Sequence, residues 1–373
     1  MNRIISSRHH GRSAGRRILL ALIFALSVAV VGCTEPPAAE PETVIGDEGV
    51  VLARSIATRY PFRKAGTPQE ASAGDLIVDE LKKMGYRPEL QDIVMEDWSS
   101  RNIILRIEGS GFDVAASDAI SGETQRIRRS VVIGAHYDTP FGTADSVDNP
   151  DYSGIHDNAS GVGALLSVAK ELKEGKPGYD VVLVFFGGGN ADFRGARTFA
   201  ENMTPAEIAS TDVMYCIDSI FAGDKLYAHS GLNSLVSGMK YLRRRKLYEL
   251  SDVAIQHGID LRFNESDLDI DANEDGTVDV YREITTIRSD YVVFDALDIP
   301  CVFIESYEYF ASVTADQTES RNPYFGGTKG QIRGTNYDST TYLEEVLEEG
   351  RLEKRIKNVA FLIVKALEKG IYR

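Results

Sequence analysis

Short apolar runs alternate with amphipathic segments along most of the chain, and this alternation constrains the fold more than any other feature. The runs IILRIEG, SVVIGAHYD, VVLVFFGG, VMYCIDSI and IPCVFIES are rich in Val, Ile and Phe, as expected of strands buried on both faces of a sheet. Segments such as GVGALLSVAKELKEG carry apolar residues at helical spacing. Because the pattern runs from residue 49 to residue 373 without repeats or a second linker, it predicts one α/β domain.

The first 32 residues have the pattern of a lipoprotein signal peptide. MNRIISSRHHGRSAGRR has five arginines and no acid, and the apolar stretch ILLALIFALSVAVV is too short for a comfortable membrane span. The ending Val-Val-Gly-Cys resembles a bacterial lipobox, which predicts cleavage before Cys33 and lipidation of that residue. The alternatives are an uncleaved anchor and a signal peptide beside a chance cysteine. Residues 33–48, rich in Pro, Ala and Glu, predict a flexible tether.

The charge of the chain excludes one class of partner. Its formal net charge is −15, and removal of residues 1–32, with five arginines and no acid, changes this to −15 − 5 = −20. So acidic a chain has no electrostatic attraction for nucleic acid or an anionic membrane surface, and the RRRK run at 243–246 predicts only a charged helix face. Cys216 and Cys301 lie in apolar runs, which favours buried free thiols over the alternative of a disulfide.

Polar residues follow three of the apolar runs. His136 and Asp138 come at the end of one run, Asp157 lies just before a helical segment, and Asp218 follows VMYCI. Open α/β sheets keep their ligand sites at the carboxyl ends of strands, so these side chains should converge. Imidazole and carboxylates are zinc ligands, and we expect His136, Asp157 and Asp218 to bind a metal while Asp138 orients the imidazole. For Asp157 the alternative is a helix N-cap.

The order and spacing of these motifs resemble metallopeptidase family 28, the co-catalytic zinc exopeptidases. The resemblance covers nearly all of residues 50–370 and rests on YPFRKAGTPQEASAGDLIVDELKKMGY, VVIGAHYDT, SGIHDNASGVGALLSVAKEL, VVLVFF, YCIDSIFAGDKLY, SDYVVFDALDIPCVFIES and RGTNYDSTTYLEEV. It implies a three-layer fold with a mixed central sheet flanked by helices. It also implies two zinc ions that share a bridging carboxylate, Asp157, with His136 and Asp218 as further ligands of one zinc.

The same resemblance implies that the other half of the site is missing. Where the family has Phe-Phe-Asp-Gly-Glu-Glu, whose glutamates are the general base and a ligand of the second zinc, this chain has Gly189 and Asn190. Gly334 stands in place of the second zinc's histidine, and Tyr291 stands where a Ser-Asp-His element is usual. Asp192 is the nearby acid that a shifted loop would recruit. Because two ligands of the second zinc are missing, we expect at most one zinc. Because a general base contributes about 10²–10⁴ in rate, we also expect little peptidase activity.

These observations predict a lipid-anchored protein of the bacterial cell envelope that binds a peptide or an amino-terminal group and hydrolyses it poorly. An active metallo-aminopeptidase with a rearranged one-metal site is the alternative, and a structural envelope protein without metal is a third. The glutaminyl cyclase branch of the family works with one zinc but uses the half that is missing, which disfavours cyclisation. We expect His156 and His229 to be ordinary polar residues near the cleft; for His156, which adjoins Asp157, the alternative is an approach to a ligand.

Residues 267–283, which include LDIDANEDGTVDVYRE, predict a second ion site. The segment has the residue spacing of an oxygen-ligand calcium loop, in which the candidate ligands are Asp271, Asn273, Asp275 and Asp279. Arg282 occupies the position of the bidentate acid, although Glu283 follows it directly. A solvated acidic hairpin tip is the alternative.

Overall fold

The helices and strands of the computed structural model follow the alternation of the sequence. The structure describes residues 45–115, 124–143, 151–265, 268–270, 276, 279–309 and 317–371. The longer helices are α1 (Asp47–Arg59), α2 (Pro68–Lys83), α3 (Ser160–Glu174), α4 (Arg194–Glu201), α5 (Pro205–Ser210), α6 (Lys240–Gln256), α7 (Tyr291–Asp295), α8 (Thr340–Val346) and α9 (Arg351–Glu368). None of the helices in these ranges is long and apolar enough to span a membrane.

Eight strands form the central sheet, in the order β1-β2-β6-β5-β7-β12-β8-β9. They are β1 (Glu89–Val94), β2 (Ser99–Ile107), β5 (Ser130–His136), β6 (Asp180–Phe186), β7 (Thr211–Ile217), β8 (Lys225–Ser230), β9 (Leu261–Arg262) and β12 (Cys301–Tyr307). Strands β6, β5, β7 and β12 are parallel to one another. On one side of this group β2 runs antiparallel to β6, and on the other side β8 runs antiparallel to β12. The sheet is therefore mixed, as predicted.

Two short hairpins lie outside the central sheet. One is formed by β3 (Phe112–Ala115) and β4 (Thr124–Ile127). The other is formed by β10 (Leu268–Ile270) and β11 (Asp279–Tyr281). The predicted calcium ligands Asp271, Asn273 and Asp275 lie outside the described residues.

Both faces of the sheet are covered by helices. Successive residues of a strand point to opposite sides, so each central strand contributes side chains to two cores. In β7, Val213, Tyr215 and Ile217 join the core that contains α1, α3, α6 and α9. Met214 and Cys216 join a second core with Phe199 of α4 and Phe294 of α7. The result is the helix-sheet-helix arrangement of three layers. Cys216 and Cys301 are both buried and free, as predicted.

The folded domain begins slightly before the predicted boundary at residue 49. Helix α1 begins at Asp47, Ile45 packs against the larger core, and the Gly46 carbonyl accepts a hydrogen bond of 3.3 Å from Ser167. The last residues assigned to the tether by the sequence therefore contact the domain.

The RRRK run is only partly the exposed helix face that the sequence predicts. Within α6, Arg244 and Lys246 are each 2% exposed. The guanidinium of Arg244 donates to Glu283 at 2.7 Å, and the ammonium of Lys246 donates to Glu249 at 2.5 Å. Because Glu283 also accepts from Tyr248 at 2.9 Å, the acid nearest the end of the proposed calcium loop already has two partners.

Candidate metal centre

Three predicted ligands meet at the carboxyl ends of β5 and β7. His136 is the last residue of β5, Asp218 follows β7, and Asp157 lies in the tight turn Ile155–Ala159 before α3. The His136 Nε2 atom is 3.3 Å from Asp157 Oδ1 and 3.5 Å from Asp218 Oδ1. All three side chains are buried, and we call them the ligand half of the site.

The ligand half fits a zinc ion in two respects. Atoms that bind tetrahedral zinc at about 2.0–2.2 Å lie about 3.4 Å from one another, close to the separations found here. In addition, Asp157 Oδ1 is buried and makes no well-aligned hydrogen bond in the described part of the chain; His136 Nε2, at 3.3 Å, is its charged neighbour. A buried carboxylate oxygen without a hydrogen bond is costly unless a cation lies beside it. A zinc ion bound here would polarise a ligand carbonyl or acidify a bound water.

Asp157 does not act as an N-cap. The residue before α3 is Ala159, whose side chain makes no capping bond, and the turn is stabilised by two other residues. Asn158 Oδ1 accepts from the backbone of Gly161 at 3.0 Å, and the Asp338 carboxylate accepts from the backbone amides of His156 and Asp157 at 2.8 and 3.0 Å. The Asp157 carboxylate is therefore left to face His136.

Asp138 connects the ligand half with the loop after β6. Its Oδ1 atom lies 3.2 Å from His136 Nδ1, which leaves Nε2 directed at the two aspartates. The same carboxylate accepts from the backbone amides of Gly189 at 2.7 Å and Asn190 at 3.0 Å. An acceptor at the second imidazole nitrogen fixes the tautomer and orientation that a metal requires.

The loop after β6 leaves no space for a side chain at position 189. A Cβ atom added to Gly189 would lie 2.4 Å from His136 Cβ and 2.5 Å from His136 Cγ, well inside van der Waals contact. A Cβ at Gly187 would meet Ser100 Oγ at 2.3 Å, and Gly188 has a φ of +61°. The three glycines thus let the backbone pack directly against the ligand half.

Position 334 is different. A Cβ added to Gly334 meets nothing within 4 Å, and its φ is +65°. The structure brings Asn190 to the cavity beside the ligand half, whereas Gly334 does not line it. We call Gly187–Asn190 together with Gly334 the glycine half of the site.

Asp192 lines the same cavity, but Arg197 holds its carboxylate. The two side chains form an ion pair of 3.2 Å, and the Asp192 side chain is 63% exposed. Tyr291 is buried in the second core, and its hydroxyl donates to the Ile287 carbonyl at 2.8 Å. Neither residue is directed at the ligand half by these contacts.

A buried charged network behind the ligand half was missed at the sequence level. Arg333 Nη2 donates to Glu305 at 3.2 Å, and its Nε lies 3.5 Å from Glu319. Each glutamate also contacts a fully buried histidine, His156 at 3.0 Å from Glu319 and His229 at 3.3 Å from Glu305. These histidines are therefore interior residues and do not line the cavity. One feature of the sequence indicates such a network: Glu305 is a single acid in the apolar run CVFIESY, and a buried acid requires a charged or hydrogen-bonding partner.

Electrostatics prepare the ligand half for a cation. Burial raises the pKa of Asp218, but the charges of Arg333 and His136 outweigh it and hold the pKa far below its usual range. Burial lowers the pKa of His136, but Asp218, Asp138 and Asp157 raise it well above its ordinary value. Because a metal binds neutral imidazole, metal binding would displace this proton.

Asp290 adds a further carboxylate close to the ligand half. It is fully buried, and neither of its oxygens has a hydrogen-bond partner among the described residues. Burial, reinforced by the negative charges of Asp218, Asp138 and Asp157, raises its pKa to about 7, although His136 opposes the shift.

The site opens into a cavity of about 350 Å³. Its lining comprises His136, Asp157, Gly189, Asn190, Asp192, Phe193, Asp218, Arg288, Ser289 and Arg333. Ser289 donates to Asp218 Oδ2 at 2.7 Å and so holds that ligand in place. A cavity of this size accommodates a small ligand next to the ion.

Comparison with solved structures identifies the fold. A glutaminyl cyclase from an Acidobacteriales bacterium superposes with a TM-score of 0.59 and 16% identity, covering 90% of this chain and 97% of that chain. A zinc aminopeptidase from Bacillus subtilis gives a TM-score of 0.59 and 12% identity, covering 89% and 98%. At such low identity, these similarities establish the three-layer fold alone.

Sequence comparison goes further. The chain is 28% identical over 338 residues to the alkaline phosphatase isozyme conversion protein of Escherichia coli (strain K12), covering 87% of this chain and 91% of that protein. The model of peptidase family M28 matches residues 118–347, which include every residue of the ligand half and the glycine half. With the fold and the strand-end positions of His136, Asp157 and Asp218 in agreement, the chain belongs to peptidase family M28.

Proposed function

We propose that this chain is a peptide-binding member of family M28 that holds one zinc ion and hydrolyses peptides poorly or not at all. The observation that carries the proposal is the packing of Gly189 against His136. The family's general base would occupy position 189, and here the imidazole fills the space that its Cβ would need, at 2.4 Å. The loss of the base therefore goes together with a backbone position at residue 189 that leaves no room for a side chain.

The remaining groups support binding more than turnover. In the proposed site, His136, Asp157 and Asp218 hold the zinc ion, and Asp138 and Ser289 fix two of these ligands. The ion would polarise a ligand carbonyl, but a proton acceptor beside it is needed for hydrolysis. Asp192, the remaining acid of the cavity wall, is engaged by Arg197 at 3.2 Å.

The location of the protein is part of the proposal. The basic and apolar segments of residues 1–32, followed by Cys33, support export and lipid anchoring at the bacterial cell envelope, and residues 34–44 would separate the domain from the membrane. Mass spectrometry of the protein purified from membranes tests this: a diacylglycerol-modified Cys33 at the N-terminus is expected. An unmodified Met1 would contradict it.

An active enzyme is the second candidate, and one comparison favours it. The 28% identical relative is named for converting isozymes of alkaline phosphatase, and by analogy this chain would act on another protein. Turnover would then use a water on the single zinc without a base at position 189, or would recruit Asp192.

Metal analysis together with an activity assay separates these candidates. The full-length protein is purified, its zinc is counted by plasma mass spectrometry, and hydrolysis of a panel of aminoacyl-nitroanilides is followed with and without chelator. One zinc per chain without turnover supports the proposal. Two zinc ions with chelator-sensitive turnover would overturn it, and a metal-free protein would favour a structural role.

A further inference from the structure

The cavity wall beside the ligand half lacks the two glutamates that the family resemblance implies, and it carries two arginines. Gly189 and Asn190 contribute no carboxylate to this wall, whereas Arg288 and Arg333 both line it. The acid that remains apart from the zinc ligands, Asp192, is paired with Arg197. Apart from the proposed metal ligands, the cavity lining therefore offers an amino-terminal ammonium group one carboxylate, that of Asp192, which is exposed and shared with Arg197.

Arg333 is held rigidly, with one donor group left for a ligand. Its backbone amide donates to Glu319 at 2.7 Å and its Nη2 to Glu305 at 3.2 Å, and both glutamates are buried behind it. Its Nη1 is 3.7 Å from Asp218 Oδ2, beyond hydrogen-bond distance, and has no acceptor in the described part of the chain. Side-chain entropy is thus already lost before a ligand arrives, which favours binding.

Arg288 supplies positive charge that no neighbouring acid balances. It is exposed at the cavity wall, and its guanidinium carbon lies 5.5 Å from the centre of the Phe193 ring. Among the described residues it forms no ion pair, whereas Arg333 is balanced from behind by two glutamates. Arg333 therefore contributes fixed hydrogen-bond donors, and Arg288 contributes net charge.

We infer that the ligand of this cavity carries a carboxylate, which Arg288 and Arg333 bind while the zinc ion takes a neighbouring donor group. A guanidinium matches a carboxylate through paired N–H donors, and such charge-assisted hydrogen bonds are among the strongest in proteins. The cavity of about 350 Å³ is suited to the end of a peptide or a single acidic side chain. This inference rests on the proposed one-zinc site and specifies what that site binds.

Calorimetry with three short peptides tests the inference and identifies the source of the carboxylate. The zinc-saturated full-length protein is titrated with N-acetyl-Ala-Ala, with its C-terminal amide, and with N-acetyl-Ala-Glu amide. At least one of the two carboxylate peptides is expected to bind about 10- to 100-fold more tightly than the neutral amide. Preference for the first indicates a peptide C-terminus, and preference for the third indicates an acidic side chain.

Two substitutions and a control connect the preference with the arginines. Arg288→Ala lies on the surface, and it is expected to weaken carboxylate binding about 10-fold or more without changing the zinc content. Arg333→Lys keeps the charge but loses the paired donors, so it should also weaken binding; thermal unfolding reports separately whether the buried network survives. Arg87→Ala, an exposed arginine outside the cavity lining, is the matched control and should bind like the parent.

Three results would overturn the inference: equal affinity for the carboxylate and amide peptides, no binding of either carboxylate peptide at millimolar concentration, or an Arg288→Ala variant that binds like Arg87→Ala. Zinc content separates this failure from failure of the proposed function. A zinc-containing protein without carboxylate preference contradicts only the inference, whereas a protein that binds no zinc contradicts the metal site on which it rests.

Discussion

The ligand half and the glycine half of the site lie side by side but are built from different parts of the chain. In the ligand half, the imidazole of His136 lies 3.3 and 3.5 Å from the two buried aspartates, and hydrogen bonds hold two of the three side chains in place. In the glycine half, the backbone itself packs on His136 and leaves no room for a side chain at position 189. The comparison indicates that the two halves respond differently to substitution: the ligand half depends on its side chains, whereas the loop of the glycine half depends on the absence of a side chain at position 189.

The largest expected effect comes from breaking the ligand half. Asp157→Ala should lower zinc affinity more than about 100-fold, because even residues that only support a ligand typically contribute 10- to 100-fold. Zinc content and a competitive chelator titration measure this. Asp192→Asn alters another acid of the same cavity wall, one that is paired with Arg197, and should leave zinc affinity close to that of the parent. Equal zinc content in the two variants would refute the assignment.

The next prediction concerns the negative charge collected around the ligand half. The folded-state pKa of Asp290 is raised from 3.8 to about 7, so the folded protein holds this proton more tightly than the unfolded chain. In zinc-free protein, the free energy of unfolding should therefore fall as pH rises from about 4 to about 7. Asp290→Asn should remove this contribution, on the order of 4 kcal/mol, and flatten the dependence.

Denaturant unfolding of chelator-treated protein across this pH range provides the measurement. The exposed Asp79→Asn substitution is the control and should retain the slope of the parent. If Asp290→Asn left the slope of unfolding free energy against pH unchanged, the carboxyl group of Asp290 would not be the source of this pH dependence.

A smaller effect tests the packing of the glycine half. Gly189→Ala places a Cβ 2.4 Å from that of His136, and overpacking of this kind typically costs about 1–3 kcal/mol. Zinc affinity should fall as well, since the imidazole must move. Gly175→Ala is the matched control, because a Cβ there meets nothing within 4 Å. Chemical denaturation compares the two; equal stabilities would mean that the loop adapts without cost.

The smallest effect sharpens the distinction between metal ligation and catalysis. Asn190→Glu combined with Gly334→His restores both missing ligand types; position 334 has open space for a side chain, although its φ of +65° makes histidine strained there. The zinc content is expected to rise towards two per chain, while turnover of aminoacyl-nitroanilides stays at the level of the parent because the base is still absent. A gain in turnover of about 100-fold or more would contradict the role given to position 189.

Much of the fold and the ligand half could be predicted from the sequence for one reason. Apolar runs specify buried strands, and His136 and Asp218 follow such runs directly, so the sheet order brings them together. Glu305 lies on the predicted strand β12, but its contact with Arg333 could not be predicted, because Arg333 lies 28 residues further along in a segment outside the helices and strands, whose path no periodicity records. The predicted charged helix face at the RRRK run is wrong for Arg244, because the burial of this residue depends on Glu283, 39 residues further along the chain.

The contact between Gly189 and His136 also bears on the history of the site. The glycine codons GGA and GGG each lie one nucleotide from a glutamate codon, so from either of them a single mutation would return the base. It would nevertheless meet an imidazole already occupying its space at 2.4 Å, and a carrier would lose stability before gaining any activity. Return to a hydrolase would require the loop and His136 to shift first, through changes that give no benefit alone, and this makes the present state resistant to reversal by single mutations.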